Sequence, residues 1–128
     1  MVKKVLFINN LNPASVIPEL LAGAGYEVFE VFDSETGLQR LGAQPYNLII
    51  LLENAASENW VLCGKIRRLT TSPFIVIGSG ASTETCVKAI NDGADFFIRK
   101  PFGPMELLAR ISALLQRVPT DQLIPSVS

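Results

Sequence analysis

Five short apolar runs, each of strand length and each followed by a segment with helical spacing, constrain this chain more than any other feature. The runs are Val5 to Ile8, Val28 to Phe32, Leu48 to Leu52, Phe74 to Ile77 and Phe96 to Ile98. The last intervening pattern is the clearest, with Leu107, Leu108, Ile111, Leu114 and Leu115 on one helix face. Asn12 as N-cap, Pro13 at the first helical position and Gly23 and Gly25 at the far end punctuate the first helix. Ser34, Ser57 and Ser82 are candidate caps for the next three, and Gly93 closes the fourth. The pattern predicts five βα units.

Parallel neighbours need a crossover between them, and crossovers are right-handed, so this alternation predicts a parallel sheet with helices on both faces. The near-continuous runs "LIILL" and "FIVI" suit strands buried on both sides. The expected fold is therefore α/β: a doubly wound (βα)5 domain with a five-stranded sheet in the order 2-1-3-4-5. Functional groups in such sheets gather at the carboxyl ends of the strands, beside the switch point between the first and third. Asn9, Asn10, Leu52, Glu53, Gly78, Ser79 and Lys100 should share that crevice. Residues 1–118 read as the domain; 119–128, with two prolines and little periodicity, read as a linker or disordered tail.

Composition narrows the function. A chain of 128 residues is long enough for one core without disulfides or metals. Its formal net charge of -1 gives no basic surface for nucleic acid. The apolar runs are too short to cross a bilayer, and "MVKKVLFINN" lacks the features of a secretory signal, so a cytoplasmic location is expected. There is no histidine, which excludes histidine-based zinc sites and triads, and the two cysteines have no partner at metal spacing.

The stretch "VKAINDGADFFIRKPFGPMELLARISALLQR" resembles the end of bacterial response-regulator receiver domains, above all those of the OmpR/PhoB subfamily, and the element order matches along residues 3 to 117. The resemblance implies a CheY-like domain that accepts a phosphoryl group on an aspartate with the help of Mg2+. Carried over residue by residue, the acidic pair falls on Asn9 and Asn10, the phosphoacceptor on Leu52, and the responding hydroxyl on Gly78, with Ser79 one place later. The lysine is retained as Lys100, and the switch aromatic is retained as Phe97 without a hydroxyl.

That chemistry needs an oxygen nucleophile and a divalent cation to neutralise the transferring group. Mg2+ is hard and usually held by carboxylates, so two amide carbonyls replace them poorly. Loss of acceptor, acidic pair and hydroxyl together predicts a degenerate pseudo-receiver with a vestigial site, no metal, no cofactor and no enzymatic activity. Asn9 and Asn10 are read as turn formers, as neutral occupants of the old metal site, or as both. Glu53 is either a built-in phosphate mimic reaching Lys100 or, as is more usual, an exposed loop carboxylate; alternation turns it away from Leu52 if the strand continues. A cis Lys100-Pro101 bond is expected, with the ammonium directed at Asn9, Asn10 or nearby carbonyls.

Cys63 and Cys86 read as buried or half-buried small apolar residues, with no basic neighbour visible for Cys86. Trp60 reads as a cover for the core edge, or as a partner anchor if exposed. "GSGAS" lacks the spacing and lysine of a phosphate cradle and reads as a loop.

The resemblance also implies a dimer face made by the fourth helix, fifth strand and fifth helix. Glu106 and Arg110 match its acid and base, while Cys86 and Phe96 stand where a basic and a second acidic residue are usual. Phe96 either centres an apolar patch that favours a homodimer or another protein partner, or folds inward and leaves Glu106 and Arg110 to pair with each other. The reading is a phosphorylation-independent receiver acting in transcription regulation through protein contacts, with a C-terminal DNA-binding domain expected if the parent chain is longer. The competitors are a receiver with an unusual acceptor, a crevice that binds a small anion, and a flavodoxin-like FMN protein, for which "NNLNP" lacks the hydroxyl and glycine residues of a phosphate loop.

Overall fold

The computed structural model of the chain describes residues 2–11, 14–54, 61–79 and 83–127. The strands are β1 (Lys4–Asn9), β2 (Glu27–Val31), β3 (Leu48–Asn54), β4 (Phe74–Ser79) and β5 (Phe96–Lys100). The helices are α1 (Ile17–Gly23), α2 (Ser34–Ala43), α3 (Val61–Leu69), α4 (Thr83–Asn91) and α5 (Pro104–Val127). All strand pairs are parallel, in the order β2-β1-β3-β4-β5. This is the doubly wound order expected from the alternation of runs.

Strand alternation divides the core. Leu6, Ile8, Ile49, Leu51, Phe74 and Val76 face Leu41, Leu62, Ile66 and Ala89 of α2, α3 and α4. Val5, Phe7, Leu48, Ile50, Leu52, Ile75 and Ile77 face Ile17, Leu21, Leu107 and Ile111 of α1 and α5. Both sides of β1, β3 and β4 are therefore dry, which is why their runs are continuously apolar rather than alternating.

Several helix ends differ from expectation. α1 begins at Ile17, with Val16 as N-cap, Pro18 in the first turn and the Ser15 hydroxyl accepting from the Ile17 N–H at 3.1 Å. Asn12 and Pro13 lie outside the described residues, as do Ser57, Ser82 and Trp60. The cap of α2 is Asp33 rather than Ser34: its carboxylate accepts from the Thr36 N–H at 2.7 Å, and Ser34 is the first helical residue. Asp and Ser both cap well, and the residue with extended backbone at the entry takes the role. Gly25 and Gly93 have φ of 99° and 139°, left-handed values that suit glycine after a helix.

α5 runs to Val127, through the segment from 119 expected as a linker or disordered tail. A helix nucleated by the buried Leu107 and Ile111 extends at one hydrogen bond per residue, less those that Pro119 and Pro125 cannot donate. No helix among the described residues is long and apolar enough to cross a membrane.

Candidate functional site

The crevice at the carboxyl ends of β1 and β3 is built by backbone register. Asn9 lies opposite Leu52, Leu52 opposite Ile77, Glu53 opposite Gly78, and Ser79 opposite Lys100. The structure thus brings the vestigial-site positions Asn9, Leu52, Gly78, Ser79 and Lys100 to one end of the sheet. The side chain of Ser79 lies outside the described part.

Asn9 is fully buried. Its Oδ1 accepts from the Leu11 N–H at 3.2 Å, a turn closed by the side chain of the residue two places earlier. That bond fixes the amide orientation, because a backbone N–H only donates, and it leaves Nδ2 to donate to Glu30 Oε2 at 3.3 Å. Asn10 Nδ2 donates to Glu53 Oε2 at 2.7 Å and to Ser34 Oγ at 2.8 Å, while its backbone N–H bonds the Leu52 carbonyl at 3.1 Å. Asn9 closes a turn with its own side chain, and both residues hold neighbouring elements.

Leu52, at the acceptor position, is fully buried among the apolar residues beneath α1 and α5. It has no atom that attacks phosphorus or binds a cation. Glu53 corrects the expectation of an exposed loop residue. It lies inside β3, which continues to Asn54, and only 6% of its surface is exposed. Alternation sends it to the opposite face from Leu52, towards α2 and α3, as the period of two requires. Its charge acts on Cys63: burial chiefly, then Asp92 and Glu53, push that thiol up to about 12.

The Lys100-Pro101 bond is cis, as expected. The amides named as possible receivers of the ammonium donate through their nitrogens to Glu30, Glu53 and Ser34. Glu53 has Asn10 as a partner at 2.7 Å.

At Gly78 the absence of a side chain is structural. A Cβ there would lie 3.0 Å from Phe97 Cζ and 3.3 Å from the Glu53 carbonyl oxygen. Phe97, only 8% exposed, belongs to the core under α2, α3 and α4. The aromatic ring therefore occupies space that a residue with a hydroxyl at position 78 would claim.

The donor set does not fit Mg2+. Asn9 Oδ1 is engaged by a backbone N–H, and both amide nitrogens point at carboxylates or a hydroxyl. The side chain at position 52 offers no oxygen, and the Leu52 carbonyl accepts from the Asn10 N–H. Among the described residues no group of three or more His, Cys, Asp or Glu could hold a metal ion. A cavity of about 600 Å3 lies at the other end of the sheet, beside Tyr46, Arg67 and Ser72.

On the face formed by α4, β5 and α5, Phe96 is half-buried against the core, and the Arg110 guanidinium sits 4.6 Å from its ring centroid. Arg110 therefore stacks on Phe96 rather than pairing with Glu106; among the described residues no ion pair joins those two. Cys86 is half-buried and does have a basic neighbour, since Arg99 Nε donates to its sulfur at 3.3 Å. Sequence spacing did not show this contact because it joins α4 to β5 across 13 residues. Glu30 and Ser34 were likewise missed as crevice residues. The one available signal was a polar residue at the end of β2 where an apolar one would pack.

A doubly wound sheet in this order is the CheY-like architecture of response-regulator receiver domains, the module type of two-component signalling, and the chain is similar to such domains along most of its length. The response regulator ArlR of Staphylococcus saprophyticus is 35% identical over 125 residues, a match covering 97% of this chain and 57% of that one. ArlR of Staphylococcus aureus is 38% identical over 105 residues, 81% of this chain and 48% of that one. The chain thus spans about half the length of these relatives. Among solved structures, a two-component response regulator from Clostridium difficile superposes with a TM-score of 0.80 at 26% identity, over 90% of this chain and 97% of that one. A CheY-like receiver domain protein from Methanospirillum hungatei gives 0.80 at 25% identity, over 94% and 99%. No protein-family model matches the chain.

Proposed function

We propose that this receiver domain signals without accepting a phosphoryl group and regulates through protein contacts. The observation that carries the reading is Leu52, a fully buried apolar side chain at the position of the acceptor. Phosphoryl transfer requires an oxygen nucleophile and compensation of the phosphoryl charge; the Leu52 side chain supplies no nucleophile, and with amides at positions 9 and 10 the compensation is left to Lys100. The hydrogen bonds of Asn9 and Asn10 support the same reading, because neutral amides that donate to Glu30 and Glu53 stand where the resemblance implies the acidic pair. The inward Phe97 above Gly78 supports a single resting state of the α4–β5 region.

The working surface is then the face that carries Cys86, Phe96, Glu106 and Arg110, a site for a homodimer or another protein. With Arg110 stacked on Phe96, and Val87 and Ile90 exposed along α4, association there rests more on apolar contact than on ion pairs. It should therefore respond weakly to salt. In a longer parent chain the continuation of α5 leads to an output domain, and the resemblance to OmpR/PhoB regulators makes that a DNA-binding domain and the parent a transcriptional regulator. The domain itself then catalyses no reaction.

A two-dimensional amide NMR titration with Mg2+ and then beryllofluoride, which imitates an aspartyl phosphate, tests the reading. The resonances of Asn9, Asn10, Leu52, Glu53 and Lys100 should stay in place. Saturable shifts at those residues would overturn it.

A further inference from the structure

We propose that Asn9 and Asn10 form a protein-only clamp that holds the crevice shut, tying the end of β1 to β2, β3 and α2 through Glu30, Glu53 and Ser34. The proposal rests on the phosphorylation-independent reading above and gives the altered site a role of its own.

The bonding is complementary. Asn10 has two amide hydrogens and two acceptors, Glu53 Oε2 at 2.7 Å and Ser34 Oγ at 2.8 Å, so its donor capacity is spent. Asn9 uses Oδ1 to close its own turn and Nδ2 to reach Glu30 Oε2. The two donors thus stand at the end of β1, and the two carboxylates that receive them stand on β2 and β3. A carboxylate at position 10 would face Glu53, and one at position 9 would face Glu30. Asn9 is fully buried and Glu53 nearly so, while Asn10, Glu30 and Ser34 are half-buried, so the contacts are partly shielded from water, which strengthens hydrogen bonds to a charged acceptor and the repulsion of like charges. The amides at 9 and 10 and the carboxylates at 30 and 53 therefore depend on one another. The first turn of α2 and the end of β3, which border the crevice, are both held through the single side chain of Asn10.

The test exchanges donor and acceptor across one contact. Asn10→Asp keeps the shape and puts two carboxylates face to face; Asn10→Asp with Glu53→Gln restores the bond in reverse, the new amide at position 53 now donating. Melting is followed in a chelated, metal-free buffer, with hydrogen exchange at Ser34, Glu53 and their neighbours. The single variant should melt lower by about 5 °C or more and exchange faster at the start of α2 and the end of β3. The double variant should recover at least half of that loss. A single variant that melts with the wild type overturns the clamp, as does a double variant no better than the single one. The beryllofluoride titration of the wild type judges the phosphorylation-independent reading separately, since the exchange experiment uses no phosphate analogue.

Discussion

Replacing Gly78 with alanine should disturb Phe97 by an amount the geometry allows to be worked out. The added Cβ would sit 3.0 Å from Phe97 Cζ and 3.3 Å from the Glu53 carbonyl oxygen, closer than ordinary carbon contact. Overpacking of this kind costs about 1–3 kcal/mol. Against it stands the backbone entropy that alanine saves in a strand, about 0.5–1 kcal/mol. Gly78→Ala should therefore destabilise by about 0.5–2 kcal/mol. Phe97→Ala, which empties a buried position, should cost about 3–5 kcal/mol. In the Phe97→Ala background the nearer contact is gone and only that with the Glu53 carbonyl remains, so Gly78→Ala costs less than in the wild type. Urea denaturation of the four proteins, read at constant slope, gives a coupling of about 1–3 kcal/mol between the two sites. A coupling within about 0.5 kcal/mol of zero would refute the claim that the ring occupies the space above Gly78.

Four further outcomes can be checked on the same protein. Arg67 donates to the carbonyls of Thr70, Ser72 and Gly93 and pairs with Asp95 at 2.7 Å, joining α3, the approach to β4 and the turn after α4. Arg67→Met should destabilise by about 1.5–3 kcal/mol in urea, and a loss under about 0.5 kcal/mol would contradict that role. A thiol reagent at mild pH should titrate half-buried Cys86 in the native protein and Cys63 only after denaturation. Because the Cys63 thiol is raised from 9.0 to about 12, its contribution to stability is full below pH 9 and falls as pH rises towards 12. Cys63→Val should flatten that alkaline slope; an unchanged slope would show that other groups cause it. The Asp33 carboxyl is held below its ordinary value by the Thr36 backbone N–H first and the Thr36 hydroxyl second. Its stabilisation is therefore present above the ordinary carboxylate value and lost as pH falls through the lower folded one. Asp33→Ala should lower the denaturation midpoint at neutral pH and lose less stability on acidification than the wild type does.

Much of the site was legible in the chain because it depends on local pattern. The strand before Asn9 and the strand through Leu52 announce themselves as continuous apolar runs, and parallel topology brings their carboxyl ends together. Counting along "YNLIILL" placed Leu52 at the acceptor position, and the alternating pleat turned Glu53 to the other face, as the structure has it. The cis bond before Pro101 was expected from the X-Pro step together with the resemblance, whereas the inward packing of Phe97 is known from the structure.

What the sequence by itself determined was the architecture and the residue types at the crevice. Both follow from residue type and period: β-branched and aliphatic runs bury themselves on two faces, and a leucine side chain has no oxygen to offer. Tertiary structure alone decided what the crevice side chains contact. The burial of Glu53, the reach of Asn10 to Ser34, the contact of Asn9 with Glu30 and the stacking of Arg110 on Phe96 join residues from 14 to 43 positions apart. The choice between a solvated side chain and a buried partner depends on which elements the fold packs against it, and local pattern carries no record of that neighbour.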